Sequence, residues 1–298
     1  MASDPRQNLD FYTRAIGLRF VKKSVNQDDP GTYHLYYGDY AASPGTILTF
    51  FPWAGLRRGQ PGTGQAYATG FSVPAGSLPF WQERFTKLDV KQGMIEKRFN
   101  DQVLPFADPD GLHLELVATS EADPRPAAPS QDIPAEFAIR GFHSSTLALT
   151  DAVATAKVLT DSMGYKLAGQ SGHRVRYTAG HNGPGTYVDL LTDPALPRGL
   201  NGAGTIHHVA FRVTDDASEV AARDILLKDG LHVSPVIDRA YFKSIYYREP
   251  AGVLFEIATD GPGFAIDEPL DQLGTILGLP PHLEAHRAKI EAALPKLT

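Results

Sequence analysis

The sequence predicts an α+β fold made of four units, each running strand, helix and three strands (βαβββ), paired two by two into open-barrel domains. Three observations predict it. Four segments share one ending, a glycine turn followed by an alternating strand: GTILTFFPW from residue 45, GLHLELVAT from 111, GTYVDLLTD from 185 and GVLFEIATD from 252. A second strand recurs ahead of three of them, in ATGFSVPAG from 68, HSSTLALTD from 143 and HHVAFRVTD from 207. Helix-like stretches separate the two strand types, and recurrence of this kind marks a repeated supersecondary unit.

The first unit opens on ASDPRQNLDFYTRAIGL, where Asp4 is placed to N-cap a helix and Pro5 to take its first position. The strand expected ahead of that helix is missing from the sequence as given. The second unit runs from the strand at 68 through GSLPFWQERFTKL to the strand at 111. Then comes ATSEADPRPAAPSQDIPAE, residues 118–136, rich in Pro and Ala and without apolar periodicity. It predicts a linker at 121–136 between an N-terminal domain (1–120, units one and two) and a C-terminal domain (137–262, units three and four). The third and fourth units carry the helices AVATAKVLTDSMGY and ASEVAARDILLKDGL, and residues 263–298 read as a tail containing a helix.

Composition narrows the function classes. A chain of 298 residues can bury two ordinary cores, and a net charge of −6 with both signs interspersed offers no basic tract for nucleic acid or an acidic membrane surface. No apolar run approaches the ~18 residues of a spanning helix, and no signal-peptide pattern opens the chain, so a cytoplasmic protein is expected. With no cysteine, disulfides, thiolate metal sites and cysteine nucleophiles are excluded together. Any metal must be held by nitrogen and oxygen.

Strand parity then selects candidates. In HHVAFRV, His207 shares a face with Val209, Phe211 and Val213, and His208 shares the other with Ala210 and Arg212. In VLFEIAT, Phe255 and Ile257 take the apolar face, leaving Glu256 to look, with His208, into the concave side of the sheet. Aligned by their ends, the units offer inward first-strand positions Ala68, Ser144 and His208, and inward last-strand positions Thr49, Glu115, Asp189 and Glu256. Only the fourth unit supplies both an imidazole and a carboxylate, two-thirds of a facial triad for a non-haem metal. A buried His–Glu pair without metal is the plainer alternative. His207 and His143 read as packed, hydrogen-bonded residues, with His207 alternatively orienting the sheet or reaching the site as a donor. Glu115 and Asp189 read as solvated or hydrogen-bonded acids rather than a second metal site. In DRAYFKSIYYREP, Tyr246 stands ten residues ahead of Glu256, a spacing that suits adjacent antiparallel strands. Tyr246 and Arg239 could polarise a bound anionic oxygen, or be a packing residue and a surface ion pair. His282 and His286 in HLEAH fit a solvated helix face. Nucleophile-elbow, phosphate-loop and dinucleotide motifs are absent.

NLDFYTRAIGLRFVKKSVNQDDPGTYHLYYGD, PGTILTFFPW, FADPDGLHLELV, GTIHHVAFRV and YFKSIYYREPAGVLFEIATD, in this order, resemble the vicinal oxygen chelate superfamily of glyoxalases, bleomycin-resistance proteins and extradiol dioxygenases. Within it they are most similar to ring-cleaving dioxygenases acting on hydroquinones. The resemblance implies an Fe(II) enzyme, with Mn(II) compatible with the same donors, that takes a hydroquinone- or catechol-type diol and dioxygen. It implies His208 and Glu256 as metal ligands, Tyr246 and Arg239 as substrate-contacting residues, and His207 as the neighbour of a ligand. The family's first ligand is a histidine in a strand just ahead of ASDP, which this sequence lacks. Either the chain is shortened at its start, the simpler explanation, or the protein has lost a ligand and with it its activity; in both cases an open sheet edge and reduced stability are expected. A glyoxalase-like Zn or Ni isomerase or lyase is disfavoured by Thr49 where a second glutamate would stand. A metal-free aromatic-binding protein is the third alternative. Homo-oligomer formation is left open.

Overall fold

The computed structural model describes residues 1–128, 130, 132–180 and 182–297; Pro129 and Gln131 of the expected linker lie outside the described residues. Helix α1 (Pro5–Asp10) starts where Asp4 accepts hydrogen bonds from the backbone N–H groups of Arg6 and Gln7, and it continues as a π-turn to Ala15. Such a cap contributes about 1 kcal/mol. Strands β1 (Arg19–Val25), β2 (Tyr33–Gly38) and β3 (Leu48–Phe50) follow as one antiparallel sheet. Next come β4 (Gln65–Pro74), α2 (Leu78–Lys87), β5 (Glu96–Arg98), β6 (Asp101–Ala107) and β7 (His113–Thr119). The series repeats as β8 (Gly141–Ala148), α3 (Val153–Lys157, extended by a π-turn to Ser162), β9 (Lys166–Ser171), β10 (Arg174–Thr178) and β11 (Tyr187–Leu191). It repeats again as β12 (Val209–Val213), α4 (Asp216–Lys228), β13 (Ile237–Asp238), β14 (Phe242–Arg248) and β15 (Leu254–Pro262). The result is a mixed α+β fold.

Apolar side chains sort into two main cores. Phe11, Tyr12, Leu35, Tyr37 and Phe50 pack with Phe71, Trp81, Phe85, Phe106 and Leu116 in the first. Leu147, Leu159 and Leu190 pack with Leu226, Ile245, Phe255 and Ile257 in the second. Each core is pinned by a carboxylate that reaches a helix from another repeat. Asp108 accepts from the Tyr12 hydroxyl (3.0 Å) and from the backbone N–H groups of Asp110 and Leu112. Glu249 accepts from the Thr155 hydroxyl and from the N–H groups of Ala251 and Val253.

The sheets do not follow the same division. One eight-stranded sheet has the order β5-β6-β7-β4-β8-β11-β10-β9, and a four-stranded one the order β12-β15-β14-β13. β4 and β8 pair antiparallel, so hydrogen bonding crosses the boundary expected at 121–136 and joins the second repeat to the third, not to the first. The reason is local: each leading strand ends its own sheet, and its unpaired backbone groups need a partner. The expected linker is also no free tether, since Ala128 and Ile133 are buried in the first core. On the remaining side, β12 and β3 are the outer strands of their sheets, and Ala2 makes a parallel bridge to Pro52 beside β3.

The tail is mainly turns, with a 3₁₀ segment at Pro281–His286 and a short helix, α5 (Arg287–Ala293). Leu277, Ile290 and Leu294 bury against the first core. Lys22, fully buried on β1, holds the tail through ion pairs to Glu268 and to Asp267 (2.6 Å). His282 and His286 are exposed. Among the described residues, no helix is long and apolar enough to cross a membrane.

Candidate active site

Sheets β1–β3 and β12–β15, with β8 and β11 of the eight-stranded sheet, line one cavity of about 1730 Å³ that runs on along the free side of β12 to Ile225 of α4. The antiparallel register of β14 and β15 sets Tyr246 directly opposite Glu256, and the parallel register of β12 and β15 sets Ala210 beside it. His207 and His208 are not inside the strand, as parity assumed: β12 begins at Val209. Their rings do not diverge either, because Nδ1 of each lies 2.8 Å from Nδ1 of the other. With no ladder bond to fix them, the two imidazoles settle against one another. His208 still reaches the inner face, where its Nε2 lies 2.8 Å from Glu256 Oε2.

Glu256 is the centre of this arrangement. It is 3% exposed and accepts from the Tyr246 hydroxyl at 2.5 Å. Burial pushes its carboxyl up, but the His208 charge and hydrogen bonds from His208, Tyr246 and Ser244 outweigh that and hold it below the usual range. Burial and the neighbouring Glu256 carboxylate push the Tyr246 phenol above its ordinary value, so it stays a proton donor. The Arg239 guanidinium sits 5.2 Å from the Tyr246 ring centroid and donates to Gln27 Oε1 (3.3 Å), which ties the fourth repeat to the first. His207 presents its ring edge-on to Phe51.

The other inward acids form no such centre. Arg176 occupies the β10 position that Tyr246 holds in β14, opposite Asp189 in register, and binds it through Nε at 2.8 Å. Arg174 adds a second contact to Asp189, and Arg98 binds Glu115 at 2.7 Å. His143 is fully buried beside Ser144 and Asp101, where burial and nearby arginines depress its pKa strongly. Among the described residues, no group of three or more His, Cys, Asp or Glu side chains is arranged to hold a metal by itself. The His208–Glu256 pair nevertheless offers one imidazole nitrogen and one carboxylate oxygen at a single point, two of the donors a divalent metal would need.

Sequence reasoning missed His34 and Tyr36, which also line the cavity. The signal was present: LYYGD at 35–39 repeats as IYYRE at 245–249, which aligns Tyr36 with Tyr246. Tyr36 indeed lies opposite Thr49, as Tyr246 lies opposite Glu256.

A fold of curled sheets, with an acid, an imidazole and a phenol gathered at one cavity, defines a class, and comparison with known proteins agrees. The Glyoxalase/Bleomycin resistance protein/Dioxygenase superfamily matches residues 120–257. MhqO of Bacillus subtilis (strain 168), assigned as a ring-cleaving dioxygenase, is 45% identical over 97% of this chain and 92% of its own length. The chlorohydroquinone/hydroquinone 1,2-dioxygenase of Sphingobium indicum is 34% identical over 93% of this chain and 88% of its own. A crystal structure assigned to a Bacillus subtilis dioxygenase superposes with a TM-score of 0.94 at 43% identity, covering 100% of this chain and 94% of that one. The chain belongs to the glyoxalase/bleomycin resistance/dioxygenase superfamily, and its homologues within that superfamily are named as ring-cleaving dioxygenases.

Proposed function

We propose that the protein is a non-haem Fe(II) dioxygenase that opens the ring of a hydroquinone- or catechol-type diol, with His208 and Glu256 as metal ligands. The observation that carries this reading is the 2.8 Å approach of His208 Nε2 to a buried Glu256 carboxylate inside the large cavity. The similarity to the Sphingobium indicum enzyme supports the substrate class. When bound, the metal would bring a phenolic oxygen and dioxygen together and pass electron density between them.

The chain's own residues would do the rest. Tyr246 keeps its proton and orients Glu256 through the 2.5 Å hydrogen bond. Arg239, fixed over the Tyr246 ring and by Gln27, would stabilise an anionic substrate oxygen. His207 steadies His208 through Nδ1, so that Nε2, which contacts Glu256 at 2.8 Å, would be the nitrogen that turns to the metal. We further read the chain as four βαβββ units, the first without its leading strand, with units one and two supplying most of the first core and units three and four most of the second. The Thr49 position disfavours glyoxalase-type chemistry, which would use a second carboxylate there.

Oxygen uptake by Fe(II)-loaded protein given hydroquinone or catechol tests the reading. Uptake that disappears in Glu256→Ala supports it. No uptake with either diol, from protein shown to hold iron, contradicts it.

A further inference from the structure

The Nδ1 of His34, on β2, lies 2.7 Å from the Tyr36 hydroxyl. Its Nε2 is closed off from solvent and has no hydrogen-bond partner, while the ring forms part of the cavity wall. Among the described residues, the Tyr36 hydroxyl has no other partner, so donation from the hydroxyl to Nδ1 leaves the fewest polar groups unsatisfied, and on that ground the ring hydrogen is assigned to Nε2. A buried donor without an acceptor in the chain is rare in a native protein and calls for a partner from outside it, a bound water or a ligand. The repeat explains how it arose. In β14 the tyrosine hydroxyl is taken by Glu256, whereas in β2 the facing residue is Thr49, so Tyr36 turns to His34 instead.

We propose that His34, held in one tautomer by Tyr36, donates its Nε2 hydrogen to the ring oxygen of the substrate farther from His208 and Glu256. His34 is then a substrate-contacting residue and Tyr36 a positioning residue. The proposal rests on the assignment of an aromatic diol as substrate. The first sheet thereby reads the second oxygen of the ring, and the fourth repeat receives the first. A donor at this point accepts an ether oxygen as readily as a hydroxyl, but not a methyl group.

The test is anaerobic calorimetry of Mn(II)-loaded protein with three probes: hydroquinone, 4-methoxyphenol and 4-methylphenol. The expected result is that the first two bind about tenfold more tightly than the third, the size of one net hydrogen bond. His34→Leu should abolish the difference, His34→Gln should keep part of it through its own Nε2, and Tyr36→Phe should shrink it. In all three variants 4-methylphenol should bind as it does to the parent protein. An equal loss for every probe, a preference untouched by His34→Leu, or no preference in the parent protein overturns the proposal. Oxygen uptake separates this from the function itself. A preserved preference without uptake refutes ring cleavage and leaves His34 in place, while uptake with no preference does the reverse.

Discussion

Replacing Tyr246 by Phe removes one hydroxyl from the point where metal affinity should be set. Glu256 is almost wholly buried and is served by the Tyr246 hydroxyl at 2.5 Å and by His208 Nε2 at 2.8 Å. Once a metal takes the His208 nitrogen, the phenol becomes the main fixed donor to the carboxylate, with Ser244 nearby. A hydrogen bond to a charged group contributes about 1.5–3 kcal/mol, and loss of such a partner to a ligand costs about 10–100-fold in metal affinity. Titration of Mn(II) or Fe(II) under argon should therefore show the dissociation constant rising about 10–100-fold in Tyr246→Phe. The phenyl ring stays packed beside the His208 ring, so far-UV circular dichroism should not change. An affinity within twofold of the parent would refute the view that Tyr246 orients a metal ligand.

Three other outcomes are expected. Asp189→Ala leaves Arg176 with Asp101 and Arg174 with Thr146 as their remaining partners in the interior and should lower unfolding free energy in urea by about 2–3 kcal/mol, below the full penalty for an unpaired buried charge, with metal affinity unchanged. Lys22→Met leaves Glu268 buried without its ammonium partner and should destabilise by ~3–5 kcal/mol, with faster hydrogen exchange over 264–297 than elsewhere. Stability should fall in two stages as pH drops. His143, held neutral in the folded state, is disfavoured as the unfolded chain protonates below its ordinary value of 6.5. Glu115, Glu256 and Glu268 are depressed in the folded state, so their contribution is complete above about 4.5 and is lost as pH falls through their lower folded values. The raised Asp108 carboxyl opposes this trend between about pH 6 and 3.8. Urea midpoints should therefore be lower at pH 3 than at pH 8, and a higher midpoint at pH 3 would contradict the assignment.

Much of this was legible in the chain because periodicity carries it. The Asp4–Pro5 helix start, the glycine-led strands and the pairing of Tyr246 with Glu256 all follow from local pattern. The partnership of β4 with β8 did not, since which leading strand meets which depends on tertiary assembly that no local pattern encodes. Parity also misjudged His207 and His208, because it holds only inside a ladder and these residues precede one. The arginines that neutralise Asp189 and Glu115 come from neighbouring strands, so each acid looked unpaired within its own segment. Buried residues 128 and 133 show the same limit, as a proline-rich composition conceals two good core contacts.

Anomalous diffraction at the iron edge, from crystals grown anaerobically with Fe(II), addresses the central claim most directly. A single strong peak is expected within bonding distance of both His208 Nε2 and a Glu256 carboxylate oxygen. A peak elsewhere, or none at that pair in iron-replete crystals, would contradict that claim.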